Sequence, residues 1–452
     1  MNESGPPKAL VKIPPRLAGI ITENPQLQIG QTILGIHKFA DNIEISSAIK
    51  GNRILISRRL LCKNYPVSMP QAFHQLHFQL LPNKTIKTGP VIGVLIAGKE
   101  KPGAPPIPRR TLIYRELSRT AVKKGLFLYY FYAEEVDWEH QWVKGFLYDE
   151  RSKRNTPWLK AKFRLPDIVY NRISYRHKED AYGVQAFMNK AARAGIHVFN
   201  SRFLNKWEVH QCLEADSRTK EFILPTACFS KPMLTVFLNN YPEFFIKPVA
   251  NSIGKGIIKV IISESGQISY FRSGKSSRWQ ECQSREELYH RLSLPQGERY
   301  ILQKGIQLAS IDHRIFDIRA QAQKDGEGLW QFTGAAVRVA AAGKFLTHVP
   351  NGGSKRDYDQ TIQEVFGPSD SVKEKLDWQL KTICRRVPLV LEEYLGINLA
   401  VLSMDIGIDH DGHMWIIEAN SKPASFDEYD IRQRHMDLLT DYFLFKAWRG
   451  NK

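Results

Sequence analysis

The stretch Met404-Asp405-Ile406-Gly407-Ile408-Asp409-His410-Asp411-Gly412-His413-Met414-Trp415-Ile416-Ile417-Glu418-Ala419-Asn420 decides how this chain is read. Two apolar runs flank an Asp-His-Asp-Gly turn, the pattern of a short β-hairpin. Side chains alternate faces along a strand, so Glu418 and Asn420 point the same way, and Asp405 joins them if the register is right. Two carboxylates and an amide oxygen are hard ligands that suit Mg²⁺, which takes one or two protein carboxylates and fills its shell from substrate phosphates. The hairpin therefore predicts a nucleotide site rather than a structural metal cage.

Far upstream, Phe245-Ile246-Lys247-Pro248 agrees with it. A lysine inside an apolar strand costs desolvation unless it is paired, and a phosphate partner is more natural there than a core salt bridge. The loop that follows, with Ser252, Gly254, Lys255 and Gly256, offers free backbone N–H groups and leads into the strand 257–262. Strand, glycine-containing loop and strand make a flap over phosphates. A P-loop must open a helix, and the nearest Walker-like string, Gly274-Lys275-Ser276, has Ser269 where the first glycine should stand.

Together with Tyr300-Ile301-Leu302-Gln303-Lys304, Phe316-Asp317-Ile318-Arg319, Asn351-Gly352-Gly353 and the run from Trp415 to Pro423, these segments resemble the ordered motifs of ATP-grasp enzymes. More narrowly the chain resembles the YheC/YheD family of endospore coat-associated ATP-grasp proteins, over roughly residues 90 to 445. Short β-rich runs between polar and Pro-containing turns read residues 1–88 as a small N-terminal β-rich domain behind a Pro-rich tail, and the resemblance implies an α/β chain with α+β lobes beyond it: a preATP-grasp α/β domain (89–200) and a two-lobed ATP-grasp domain (201–450). It implies ATP as cofactor, with Mg²⁺, or Mn²⁺ in its place, on Asp405, Glu418 and Asn420. Lys206 corresponds to a first ATP-facing lysine, and the alternative is a surface lysine at a helix start. The linker Gln303-Lys304-Gly305-Ile306 would read adenine through its main chain, or be an ordinary strand end. Asn351 heads a glycine loop able to approach a ligand, or a plain turn. Arg319 and Arg338 lie on alternating strands and would clamp phosphate or a substrate carboxylate, unless they pair within the protein, with Asp317 orienting Arg319.

Composition sets the outer bounds. A chain of 452 residues with 43% hydrophobic and 24% charged residues is two or three globular domains. No window approaches the roughly 18 apolar residues of a membrane span, and the start Met1-Asn2-Glu3-Ser4-Gly5-Pro6-Pro7 lacks signal-peptide character. The expectation is a cytoplasmic protein, with spore-coat association implied by the resemblance and no membrane partner. Cys62, Cys212, Cys228, Cys282 and Cys384 are scattered without Cys-x-x-Cys spacing, which reads as buried thiols. The formal charge of +18 and the basic cluster from Arg151 to Lys178 fit either a solvated face or an anionic partner such as an acidic peptide or coat component. Nucleic acid is disfavoured, because aromatic stacking motifs are missing.

Along the chain, Val91–Ile96 reads as a buried strand, followed by a helix to about Lys124, strands at 126–131 and 167–171, a helix from about Asp180 to Ala194, and a strand at 196–199. That is an open α/β sheet. Gly98 lacks the spacing of a dinucleotide fingerprint. The run from Lys373 to Glu393, interrupted by Pro388, is expected to pack as helix, with Leu376, Leu380, Ile383, Val387 and Val390 in its core stripe. His313, His348, His410 and His413 show no metal spacing. Phosphoryl transfer asks for positioning and charge neutralisation, not a protein nucleophile. The expected function is thus an ADP-forming carboxylate–amine or related ligase with unknown carboxylate and nucleophile, and the rival is a nucleotide-binding coat protein without turnover.

Overall fold

The computed structural model describes residues 10–23, 42–57, 73–80, 86–98, 107, 111–150, 157–250, 256–274, 278–295, 297, 299–345, 347, 352–424 and 426–448. The chain divides into two compact units. The first holds residues 1–202, 324–329 and 424–452, and the second 203–323 and 330–423. The β-rich start, the α/β segment and the final helix Tyr429–Trp448 thus belong to one unit.

The first unit has two sheets. One contains β1 (Leu10–Ile13), β2 (Asn42–Ile45), β3 (Arg53–Ser57), β4 (Phe73–Leu80) and β5 (Ile86–Gly89), in the order β2-β1-β3-β4-β5. The start of the chain is therefore not all tail: β1 is followed by α1 (Pro15–Glu23), and Val11, Ile13 and Leu17 are buried. The other contains β6 (Val91–Leu95), β7 (Phe127–Asp137), β8 (Trp142–Tyr148), β9 (Trp158–Arg164), β10 (Ile168–Asn171) and β11 (His197–Phe199), in the order β11-β10-β6-β7-β8-β9. Its first four members run parallel, and every residue of β6 is buried, as expected for a strand covered on both faces. α2 (Thr111–Lys123), α3 (Arg176–Glu179) and α4 (Tyr182–Arg193) complete it. The antiparallel extension β7-β8-β9 goes beyond what the sequence pattern predicts.

The second unit also has two sheets. β12 (Thr226–Cys228), β13 (Glu243–Pro248), β14 (Ile258–Ile262), β15 (Ile268–Arg272), β16 (Trp279–Cys282) and β17 (Tyr300–Lys304) take the order β12-β17-β13-β14-β15-β16. β18 (Ser310–Ile311), β19 (Arg314–Lys324), β20 (Trp330–Val339), β21 (Ser354–Asp357), β22 (Val401–Ile408) and β23 (Met414–Asn420) take the order β21-β20-β19-β22-β23, with β18 on β19. α5 (Lys206–Ala215), α6 (Lys231–Asn240), α7 (Arg285–Leu292), α8 (Tyr358–Phe366) and α9 (Asp370–Leu395) flank them.

α9 bears out the expected helix and its core stripe, and it runs unbroken through Pro388. Proline in a helix interior costs about 3 kcal/mol. Here Pro388 itself and Leu376, Leu380, Ile383, Val387, Val390 and Leu391 are all buried, and burying several such side chains at about 1.5–3 kcal/mol each outweighs that cost. Of the cysteines, Cys212, Cys282 and Cys384 are buried thiols, whereas Cys228 is exposed, and Cys62 lies outside the described residues. Among the described residues no helix is long and apolar enough to cross a membrane.

Candidate functional site

Three strands of the β12–β17 sheet present one face to a cavity of about 330 Å³. On β13 the period of two sends Phe244 and Ile246 into the core and Glu243, Phe245 and Lys247 to the cavity. β14 and β17 lie on either side, with Lys259 and Gln303 both opposite Phe245. Lys247 is 7% exposed, and its Nζ donates to Gln303 Oε1. Burial pushes the Lys247 ammonium down to about 8, against the pull of Glu418.

The opposite wall comes from β19, β20, β22 and β23. Asp405 stands directly across from Glu418, and Ser403 across from Asn420, so the four side chains share a face. A register shift between Asp405 and Ile406 keeps the polar end in step while the apolar hairpin continues. Glu418 accepts from Lys206 Nζ at 3.1 Å. Lys206 opens α5, whose N-cap Asn205 accepts from the Trp207 and Glu208 amides. Asp405 sits between Arg319 Nη1 at 3.2 Å and Arg338 Nη2 at 3.0 Å.

Asp317 does not orient Arg319 as the sequence suggested. It takes Arg338 through both carboxylate oxygens, Nε at 2.8 Å and Nη2 at 2.5 Å, and accepts from Thr347 Oγ1 at 2.7 Å. Burial raises the Asp317 carboxyl while Arg338 draws it back down. Both arginines thus have protein carboxylates as partners, and Arg338 is held as a rigid fork at the cavity wall.

The cavity lining combines the apolar side chains Leu224, Phe245, Ile306, Leu308, Phe345 and Ile417 with five cationic side chains and four carboxylates. Apolar surface and charged groups on one cavity are what a base joined to phosphates needs. Gly407 packs against that lining: a Cβ there would stand 2.7 Å from Leu308 Cδ2 and 2.9 Å from Ile306 Cδ1. Gly305 is equally confined, since its Cβ would meet Glu243 Cγ at 2.5 Å.

Of the residues singled out in the sequence, Lys206, Lys247, Gln303, Lys304, Ile306, Arg338, Asp405 and Glu418 line the cavity. Gly256 and Gly305 adjoin lining strands, and Arg319 and Asn420 stand beside Asp405 and Ser403. Ser252, Gly254, Lys255 and Asn351 lie outside the described residues, as does His348. Thr347, Phe345 and Gly407 escape the sequence reading. Phe345 follows the small-residue run Ala340-Ala341-Ala342-Gly343, where a lone aromatic was the available signal; its ring lies 6.0 Å from Phe245 and 5.1 Å from Phe271.

Residues 195–445 match the model of the YheC/D-like ATP-grasp family. The chain belongs to that family. It is 27% identical over 368 residues to endospore coat-associated protein YheD of Bacillus subtilis (strain 168), covering 80% of this chain and 78% of that protein. It is 24% identical over 314 residues to endospore coat-associated protein YheC of the same organism, covering 68% and 84%. Among solved structures, D-alanyl-alanine synthetase A of Vibrio cholerae is similar at 11% identity and a TM-score of 0.46, covering 79% of this chain and 97% of that one. A likeness at that level is too loose to bear on chemistry.

ATP-grasp membership implies ATP and Mg²⁺, and the donor set fits them. Among the described residues no three His, Cys, Asp or Glu side chains form a metal cage, so a cation on Asp405 and Glu418 would complete its shell from phosphate oxygens. Lys247, buried against the neutral amide of Gln303, is suited to an anion.

Proposed function

We propose that the protein is an ATP- and Mg²⁺-dependent ligase that activates a carboxylate as an acyl phosphate for attack by an amine or similar nucleophile, releasing ADP and phosphate. The observation that carries this reading is the convergence of buried Lys247 with the facing pair Asp405 and Glu418 on one cavity that is also lined by apolar side chains.

In this reading Lys206 and Lys247 hold phosphate oxygens. The amides of Lys304 and Gly305 already donate to Pro225 O and Glu243 O, which leaves adenine to the linker's carbonyls and the Ile306 N–H. Asp405, Glu418 and Asn420 would hold Mg²⁺, which supplies neutralisation of charge on the terminal phosphates. A substrate carboxylate oxygen bonds to the γ-phosphorus as the bond to the ADP oxygen breaks, and the nucleophile then displaces phosphate from the acyl carbon. Arg338, locked on Asp317, and Arg319 present N–H donors where that acyl phosphate gathers charge. The carboxylate and the nucleophile are unassigned. The relatives' names support a spore-coat setting for the reaction.

Hydroxylamine in place of the nucleophile tests the proposal. With the right acid, hydroxamate and ADP should accumulate in step, and Glu418→Gln should abolish both. AMP and pyrophosphate as products would overturn the mechanism. Tight ATP binding without turnover across a broad panel of acids would favour a nucleotide-binding coat protein instead.

A further inference from the structure

Glu243 and Lys259 form an ion pair on the cavity wall that neither the phosphates nor the metal need. On β13 the residues facing the cavity run Lys247, Phe245, Glu243, so Glu243 stands four residues, about 14 Å along the strand, from the lysine assigned to phosphate. An extended nucleotide held by its phosphates at Lys247 reaches that far with its base. Lys259 of β14 lies opposite Phe245 and so diagonal to Glu243, and its Nζ meets Glu243 Oε2 at 2.9 Å. The same ammonium is 5.7 Å from the Phe245 ring centroid and 5.5 Å from that of Phe345, and the two rings fix its place on the wall. The other charges of the lining are engaged elsewhere: Lys206 with Glu418, Arg338 with Asp317 and Asp405, Lys247 with Gln303, and Lys304 at 5.8 Å from the Tyr241 ring.

A diagonal ion pair between neighbouring strands is ordinary sheet stabilisation, and that accounts for the pairing itself. It does not account for where the carboxylate lies. Glu243 leans on the linker: its carbonyl accepts from the Gly305 amide at 2.8 Å, and a Cβ at Gly305 would stand 2.5 Å from its Cγ and 2.8 Å from its Oε1. Gly305 does not take the positive φ that would by itself call for glycine, so the missing side chain serves this close approach. The Glu243 side chain nevertheless keeps 28% of its surface exposed. A carboxylate oxygen and an ammonium thus stand side by side next to the segment that meets the base.

Resting on the nucleotide site proposed above, we infer that Glu243 and Lys259 read the edge of the base and select adenine over guanine. On its N7 side adenine offers an acceptor, N7, beside a donor, the C6 amine, whereas guanine offers two acceptors, N7 and O6. An ammonium beside a carboxylate complements the adenine pair. Lys259 donates to N7, and Glu243 Oε1 accepts from the amine, whose second hydrogen is left for a linker carbonyl. Guanine would set O6 against the Glu243 carboxylate with no hydrogen between them, and a site whose polar groups are left unmatched rejects its ligand.

Calorimetric titration of the full chain with Mg²⁺ and ATP, GTP or 7-deaza-ATP tests this by binding alone, apart from turnover. ATP should bind the parent at least tenfold tighter than GTP. Glu243→Gln, whose amide can donate to O6, should cut that ratio at least tenfold, an effect that a merely structural ion pair would not produce. 7-Deaza-ATP lacks the N7 acceptor and should bind the parent about fivefold more weakly than ATP, or weaker still, while Lys259→Met should bind the two alike. Failure of the parent to bind any of the three nucleotides would overturn the nucleotide site and this inference with it. ATP binding with equal affinity for GTP, an unchanged ratio in Glu243→Gln, or equal affinity of the parent for 7-deaza-ATP overturns this inference alone. The first and last of those comparisons need no variant to fold.

Discussion

Replacing Lys247 by methionine should move stability and nucleotide affinity in opposite directions. In the ligand-free protein the ammonium is buried, donates to Gln303 and has fallen from 10.5 to about 8, chiefly through desolvation. At 1.36 kcal/mol per pH unit that fall corresponds to about 3 kcal/mol acting against the charged folded state. Methionine occupies similar volume without charge. It leaves Gln303 Oε1 without its ammonium donor, which returns about 1 kcal/mol, while Gln303 Nε2 keeps Thr226 Oγ1 at 3.3 Å. The net expectation is a ligand-free protein more stable by about 2 kcal/mol, read as a melting temperature a few degrees higher. ATP binding should weaken at least tenfold, about 1.4 kcal/mol, because removing one side of a buried charge pair typically costs about 2–5 kcal/mol. Scanning calorimetry without nucleotide and titration with Mg-ATP measure the two effects. Unchanged affinity would remove Lys247 from the phosphate site. A lower ligand-free melting temperature would refute the idea of a strained ammonium.

The parts of this site that sequence makes legible are those fixed by local alternation. Glu418 and Asn420 share a face because they are two apart, and Lys247 stands out because its neighbours are apolar. Whether Asp405 joins them depends on a register shift at Asp405/Ile406, which no local pattern encodes. The Asp317–Arg338 fork joins residues 21 apart in sequence, and a period-two pattern made Arg319 look like the nearer partner of Asp317. Thr347 shows no periodicity at all and acquires its place only when its hydroxyl meets Asp317. Local rules also fail where burial overrides them, as at Pro388 in α9. β9 does alternate at period two, but Lys160, Lys162 and Arg164 at its alternate positions made the segment look like part of a charge cluster instead of the second strand of a hairpin.

Two further outcomes follow from the same geometry. Glu418→Gln keeps size but removes the charge that now meets Lys206 at 3.1 Å, and Asn420→Asp adds one on the same face; each should shift the Mg²⁺ concentration needed for nucleotide binding at least tenfold, and parent-like titrations in both would make the hairpin structural. The last outcome concerns pH. Because the folded value of Lys247 is about 8 against 10.5 in the free side chain, the unfolded chain binds more protons between those values, and this group makes the ligand-free protein more stable as pH rises through that window. Phosphate binding needs the ammonium, so ATP affinity should instead fall by up to tenfold per unit as pH climbs above about 8. Lys247→Met should lack both trends. Affinity that stays flat from pH 7 to about 9.5 in the parent, or the same decline in the methionine variant, would show that another group governs the nucleotide's phosphates.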